Sequence, residues 1–219
     1  MTEKNLDFDT VIDRTHTNSL KYDFAVQRGK PKDVLPLWVA DMDFQVSSYI
    51  QEALAGSVAH GIFGYSEAAG SYFEAVAGWM GRHYGWNVEE PWLVKTPGIV
   101  FALAQAVRAF TEPGDAVLLQ QPVYYPFSQV IRDNGRKIVD NTLVQGEDGR
   151  YRIDFADFEE KIRSCKVKLF FLCNPHNPVG RVWTREELLR LGDICEKYGV
   201  IVVSDEIHAD FVFEGSHQV

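Results

Sequence analysis

Val167-Lys168-Leu169-Phe170-Phe171-Leu172-Cys173, followed by Asn174-Pro175-His176-Asn177-Pro178-Val179-Gly180, is the stretch that decides the fold. An apolar run broken only by Lys168 reads as a buried strand. Two Asn-Pro pairs and a glycine then make a stiff turn, because proline fixes its own φ and restricts its neighbour. Moving toward the C-terminus, 186–198 reads as a helix opened by a capping box, Thr184 with Glu187, and stopped at Gly199. Residues 200–204 read as the next strand; Val200-Ile201-Val202-Val203 is apolar on both faces, which predicts helices covering each side. Moving toward the N-terminus, strands are expected at 92–95, 116–120 and 137–141, and helices at 99–110, 125–134 and 155–163. A hairpin turn is expected at 145–149. Further upstream, 46–60 and 68–84 read as amphipathic helices, the second stopped by Gly85. The first 45 or so residues read as irregular, interrupted by Pro31 and Pro36. Strand–helix alternation of this kind predicts an α/β fold, a mainly parallel sheet sandwiched by helices.

With 219 residues and 46% hydrophobic content, the chain has enough material for one large core. A formal charge of -9 argues against a nucleic-acid surface, which needs a cationic face. No apolar run approaches the roughly 20 residues of a membrane helix. The opening Met1-Thr2-Glu3-Lys4-Asn5-Leu6-Asp7 is polar and acidic, unlike a signal peptide. Cys165, Cys173 and Cys195 are odd in number and lack CxxC spacing, so neither a disulfide framework nor a zinc knuckle is indicated. The expectation is a cytoplasmic chain without nucleic-acid or membrane partners.

Parallel α/β sheets bind ligands at the carboxyl ends of their strands. After 92–95 comes Thr96-Pro97-Gly98-Ile99-Val100, where a glycine before a helix lets backbone N–H groups meet an anion; a plain turn has the same look. Neither a GxGxxG nor a GxxxxGK[ST] loop is present. After 116–120 comes Gln121-Pro122-Val123-Tyr124-Tyr125-Pro126, where a tyrosine either lies on an aromatic ligand or packs at a strand end. Asn177 would present an amide above the sheet. Asp205, in Ser204-Asp205-Glu206-Ile207-His208, is a carboxylate directly after an apolar strand. Such a group needs a cation or several donors, or else caps the next turn. A metal site drawn from Asp205, His208, Asp210, His217 and His176 is the sharper rival.

Together these strand ends resemble the cofactor pocket of fold-type I pyridoxal-phosphate enzymes, the aminotransferase class I/II superfamily. Trp38-Val39-Ala40-Asp41-Met42-Asp43-Phe44 resembles the signature of its MalY/PatB-type cystathionine β-lyases, as do Asp13-Arg14-Thr15 and Asn18-Ser19-Leu20-Lys21-Tyr22-Asp23. The resemblance runs from about residue 10 to the end. It implies pyridoxal 5′-phosphate as cofactor, with Gly98, Ile99 and Val100 on the phosphate through backbone amides. Tyr124 would stack on the pyridine ring, Asn177 would bond its 3′-oxygen and His208 would face that oxygen. Asp205 would pair with the ring nitrogen. Tyr65 would reach the phosphate of a neighbouring subunit, implying a homodimer with shared active sites. Ala40 would lie near the substrate carboxylate. Residues 1–45 would belong to a small domain and 46–219 to the large, cofactor-binding domain.

The family's Schiff-base lysine would fall beyond Val219. Lys95, Lys137, Lys166 and Lys168 lie on or beside strands ahead of the pocket turns, so no catalytic residue is assigned within the chain. The expectation is an N-terminal fragment or truncated product, incomplete at its C-terminus and inactive alone. Trp38 and Phe44 would then be left as apolar surface without a partner. The reaction implied is carbon–sulfur β-elimination from cystathionine or another β-substituted amino acid, giving pyruvate, ammonia and a thiol. An aminotransferase on the same fold and a non-catalytic or regulatory module remain as alternatives.

Overall fold

The computed structural model describes residues 7–219; residues 1–6, which hold most of the polar opening, lie outside the described residues. The chain divides after Glu67 into two compact units.

In the first unit, helix α1 (Ser48–His60) ends at Gly61, whose φ of 71° is the left-handed cap that glycine adopts without strain. The irregular stretch before it is organised by charge. Asp23 accepts backbone N–H bonds from His16 (2.8 Å), Thr17 (3.0 Å) and Ser19 (3.0 Å). Arg14 pairs with Asp41 and, at 2.5 Å, with Asp43. The buried Lys21 ammonium meets Asp43 at 3.1 Å and the Asp41 carbonyl at 3.0 Å. The two motifs quoted above, around 13–23 and 38–44, are therefore one ion cluster. Lys30 lies over the Trp38 ring, and Phe44 stands edge-on to Phe8 at 5.2 Å. Both aromatic rings thus have partners within their own unit.

The second unit carries the helices α2 (Gly70–Tyr84), α3 (Ile99–Phe110), α4 (Pro126–Asp133), α5 (Phe155–Cys165) and α6 (Arg185–Tyr198). Its strands are β1 (Ala116–Leu119), β2 (Lys137–Asp140), β3 (Val144–Gln145), β4 (Tyr151–Arg152), β5 (Val167–Cys173) and β6 (Ile201–Asp205). β2, β1, β5 and β6 lie in that order, and every pairing among them is parallel. β3 and β4 form the small antiparallel hairpin around the 145–149 turn.

Side chains alternate across the sheet with period two. Val117, Leu119, Leu169, Phe171 and Cys173 pack with Leu103 and Val107 of α3 and Phe127 and Ile131 of α4. Leu118, Phe170 and Leu172 pack on the opposite face with Phe158 and Ile162 of α5 and Leu191 and Ile194 of α6. This is the parallel, helix-covered sheet that the strand–helix alternation predicts. Asp154 caps α5, and the Thr184–Glu187 capping box opens α6, which Gly199 closes.

Two expectations are corrected. Residues 92–95 are not a strand. Pro91 lies inside the 3-10 turn Glu90–Trp92, and the extended residues after it pair with no strand among the described residues. Residues 200–204 are covered only in part: α3 and α6 each pack on β6, Val200 is buried and Val203 lies against the core, but the cover is incomplete. β6 is the edge of the described sheet, with Ile201 41% and Val202 40% exposed. Among the described residues, no helix is long and apolar enough to cross a membrane.

Candidate functional site

The carboxyl ends of β1, β5 and β6 open side by side. Cys173, the last residue of β5, is in register with Asp205, the last of β6. The Asn174 N–H continues the pairing by donating to the Asp205 carbonyl at 3.0 Å. The chain then folds back, so that the Asn177 N–H approaches the Cys173 thiol at 3.4 Å. The Tyr124 N–H, from the loop after β1, donates to the Asn177 carbonyl at 3.0 Å. Tyr124, Asn177 and Asp205 are therefore linked through backbone and one thiol, although they lie far apart in sequence. Burial pushes that thiol up to about 11, so Cys173 is a neutral packing and hydrogen-bonding group.

Asp205 has the most demanding electrostatics of the three. It is buried, and loss of hydration raises its carboxyl above the ordinary carboxylate range; the Ile207 N–H at 3.1 Å and nearby His208 pull the other way. Among the described residues, no lysine, arginine or histidine forms an ion pair with it. A carboxylate so placed fits a cationic hydrogen-bond donor arriving from outside the chain. Asn177 is half-buried, and its amide bonds no side chain among the described residues, so it is free to bond a ligand. The Tyr124 ring is partly exposed and stands edge-on to Tyr125 at 5.3 Å, leaving it available to an aromatic group.

Gly98 sits at the head of α3 with φ 110°, in the region that favours glycine, and no side chain caps that helix. The amides of Ile99 and Val100 belong to its first turn, where N–H groups lack intrahelical acceptors and favour an anion. α3 packs on β5 and β6, which places it in the sheet layer that carries Asn177 and Asp205. The donor set accordingly suits a flat, anionic ligand with a protonated ring nitrogen.

The remaining candidate residues have the following surroundings. His208 is half-buried, its ring against Phe211 at 6.3 Å. Tyr65 and Ala40 belong to the first unit, where both are exposed. The metal rival does not assemble. His176 faces the Gln120 carbonyl, His217 pairs with Glu206 at 3.2 Å, and Asp210 accepts from Tyr84 and from Trp79 at 3.2 Å. Among the described residues, no three His, Cys, Asp or Glu side chains come close enough to hold an ion.

The sequence reading passed over the polar layer beneath the pocket. Gln120, at the end of β1, donates from its buried side chain to Asn141 at 2.8 Å, and Asn141 donates to Asp157 at 2.8 Å. Asn174 accepts the Trp183 N–H at 3.1 Å, and the Trp183 indole donates to the Cys173 carbonyl at 3.0 Å. The signal was present: Gln120 and Asn141 are polar residues at the ends of apolar strands, where burial demands partners.

Residues 32–219 match the family of class I and II aminotransferases, and the chain belongs to that family. It is 49% identical over 210 residues to cystathionine beta-lyase PatB of Bacillus subtilis (strain 168), covering 96% of this chain and 54% of that protein. It is 34% identical to protein MalY of Escherichia coli (strain K12), covering 94% of this chain and 53% of MalY. Among solved structures, cystalysin from Treponema denticola, which contains pyridoxal 5′-phosphate, superposes with a TM-score of 0.91. It is 38% identical, over 98% of this chain and 55% of that one. The chain thus spans about half the length of the relatives it matches.

Proposed function

We propose that this chain supplies the cofactor-binding part of a pyridoxal-phosphate-dependent carbon–sulfur β-lyase. The observation that carries the reading is Asp205, a buried carboxylate with no ion-pair partner among the described residues, joined through the β5 turn to Asn177 and Tyr124. When bound, pyridoxal phosphate supplies an electron sink for negative charge at the substrate Cα. Asp205, ionised, holds the proton on the ring nitrogen. Tyr124 fixes the ring plane, and Asn177 with His208 addresses the ring oxygen. The amides at Gly98, Ile99 and Val100 take the phosphate at the head of α3. Ala40 lies by the substrate carboxylate, and Tyr65 serves the phosphate of a partner subunit in a homodimer. Residues 1–45 join the small domain and 46–219 form the large one. The lysine that holds the cofactor covalently belongs to the part that the longer relatives have in addition. Three free thiols agree with a cytoplasmic location.

The 49% identity to a cystathionine β-lyase favours elimination from a cystathionine-like amino acid over transamination. The test supplies the purified complete gene product with cystathionine and no keto acid. Pyruvate released together with a thiol supports the lyase. Turnover that appears only when a keto-acid acceptor is added makes it an aminotransferase. Cofactor binding without either reaction leaves a non-catalytic module.

A further inference from the structure

We infer that His176 is a positioning residue for the cofactor pocket: its ring sets the spacing between the loop carrying Tyr124 and the turn carrying Asn177. The inference rests on the function proposed above and extends it to a residue that touches neither cofactor nor substrate.

His176 is 2% exposed. Its Nε2 lies 3.2 Å from the Gln120 carbonyl. A carbonyl can only accept, so Nε2 carries the proton and Nδ1 is left as an acceptor. Burial pushes the imidazole down to about 4, so the ring is neutral near pH 7 and this tautomer is the working one. No partner reaches Nδ1 among the described residues. A buried histidine that kept its ring only for packing would lose little as phenylalanine. This one makes a single directional bond, and both ends of that bond adjoin the site.

Gln120 directly follows β1 and leads through Gln121-Pro122-Val123 into Tyr124. His176 directly precedes Asn177. Its own backbone is closed into the turn, the N–H donating to the Arg181 carbonyl at 2.7 Å and the carbonyl accepting the Gly180 N–H at 2.8 Å. The ring stands edge-on to Trp183 at 5.7 Å, and the Trp183 indole is itself fixed to the Cys173 carbonyl. The His176–Gln120 bond and the Tyr124–Asn177 bond are therefore two crossties between the same two loops, one below the pocket and one at its rim. In the proposed site Tyr124 holds the face of a planar ring and Asn177 holds an atom in its plane. Their relative placement sets the ring's tilt, and small misplacements of that kind are costly for reactivity.

The experiment compares the complete wild-type protein with H176F, H176L and H176Q. Phenylalanine keeps an aromatic ring against Trp183 but has no donor. Leucine also lacks the donor and keeps the comparison alive where H176F fails to fold. Glutamine places an amide N–H near the Nε2 position. Three quantities are read: the dissociation constant for pyridoxal 5′-phosphate, circular dichroism in the cofactor's visible band, and thermal unfolding of the cofactor-free forms. Wild type binds cofactor. The folded donor-less variant is expected to lose about tenfold in affinity, the size of one lost buried hydrogen bond, and to show an altered visible dichroic band. H176Q is expected to stay within about threefold of wild type with its band retained. A folded donor-less variant that binds like wild type with an unchanged band overturns the inference, even where its unfolding temperature drops. So does H176Q failing as badly as H176F. Wild-type protein that takes up no cofactor overturns the function and this inference together.

Discussion

β5 and β6 are neighbours, in register from Leu169–Ile201 to Cys173–Asp205, and both deliver residues to the pocket, yet they are built in opposite ways. β5 is buried along its length except at Lys168, with helices on both faces and a paired strand on each edge. Its turn is closed by hydrogen bonds within the protein. β6 pairs on one edge among the described residues, and its apolar side chains stay part-exposed. The one residue it buries is Asp205. The contrast separates two duties. β5 holds the domain together and fixes the floor of the site, whereas β6 is less completely packed and presents a carboxylate whose burial the Ile207 N–H offsets in part and a cationic ligand would offset further.

The largest expected effect falls on β5. Phe170 is fully buried and stands edge-on to Phe158 at 5.0 Å, between the sheet and α5. Phe170→Ala removes the whole ring from a close-packed layer and should cost about 3–5 kcal/mol. Urea unfolding of the variant against wild type measures it. A loss under about 1 kcal/mol would show that β5 is not the mechanical centre and would break the comparison at its first term.

Asp205→Asn tests the other strand. The folded-state carboxyl lies above its unfolded value, so ionisation disfavours the folded state. The sign follows: wild-type stability from this group is greatest below the ordinary carboxylate range and falls as pH rises through the raised folded value. Asp148, held down to about 2 by Arg152, works in the opposite sense, so the informative quantity is the difference between variant and wild type. Without cofactor at neutral pH, D205N should be more stable by about 1 kcal/mol, the order of an under-partnered buried polar group. The advantage should vanish in acid. Chemical denaturation across pH reads this directly. A variant that is less stable at neutral pH would reveal a favourable partner for the carboxylate and remove the reason for assigning it to a ligand.

Much of this was legible in the residues. Val167–Cys173 and Ile99–Phe110 follow directly from apolar period and length, and the Thr184–Glu187 box from capping chemistry. The parallel sheet follows from alternation. At the site, the motifs pick out Tyr124, Asn177 and Asp205, but only the fold shows the Cys173 thiol and the Tyr124–Asn177 bond joining them. What the sequence misjudged is non-local. At 92–95 a β-prone run does not become a strand, because a strand exists only by pairing. His176 reads as a possible ligand from its residue type, but its bond to Gln120 spans 56 positions and no local pattern encodes it. Residues 200–203 signal that they suit burial without specifying what buries them.

That last point gives the smallest effect and the closest test of the contrast. Val202 pairs with Phe170 across the sheet and is 40% exposed, whereas Phe170 is fully buried. Val202→Thr keeps the β-branched shape and exchanges a methyl for a hydroxyl, so strand propensity barely changes. On a part-exposed edge the hydroxyl finds water, and the cost in this 219-residue chain should stay within about 0.5 kcal/mol. Buried, the same hydroxyl would lack a partner and cost about 1–3 kcal/mol. Unfolding of the variant beside that of Phe170→Ala therefore weighs two residues that face each other in one ladder. Well-separated costs confirm that apolar sequence is spent differently on the two strands. Costs of similar size would mean that β6 is covered in solution, and that the asymmetry between the strands is confined to their pocket ends.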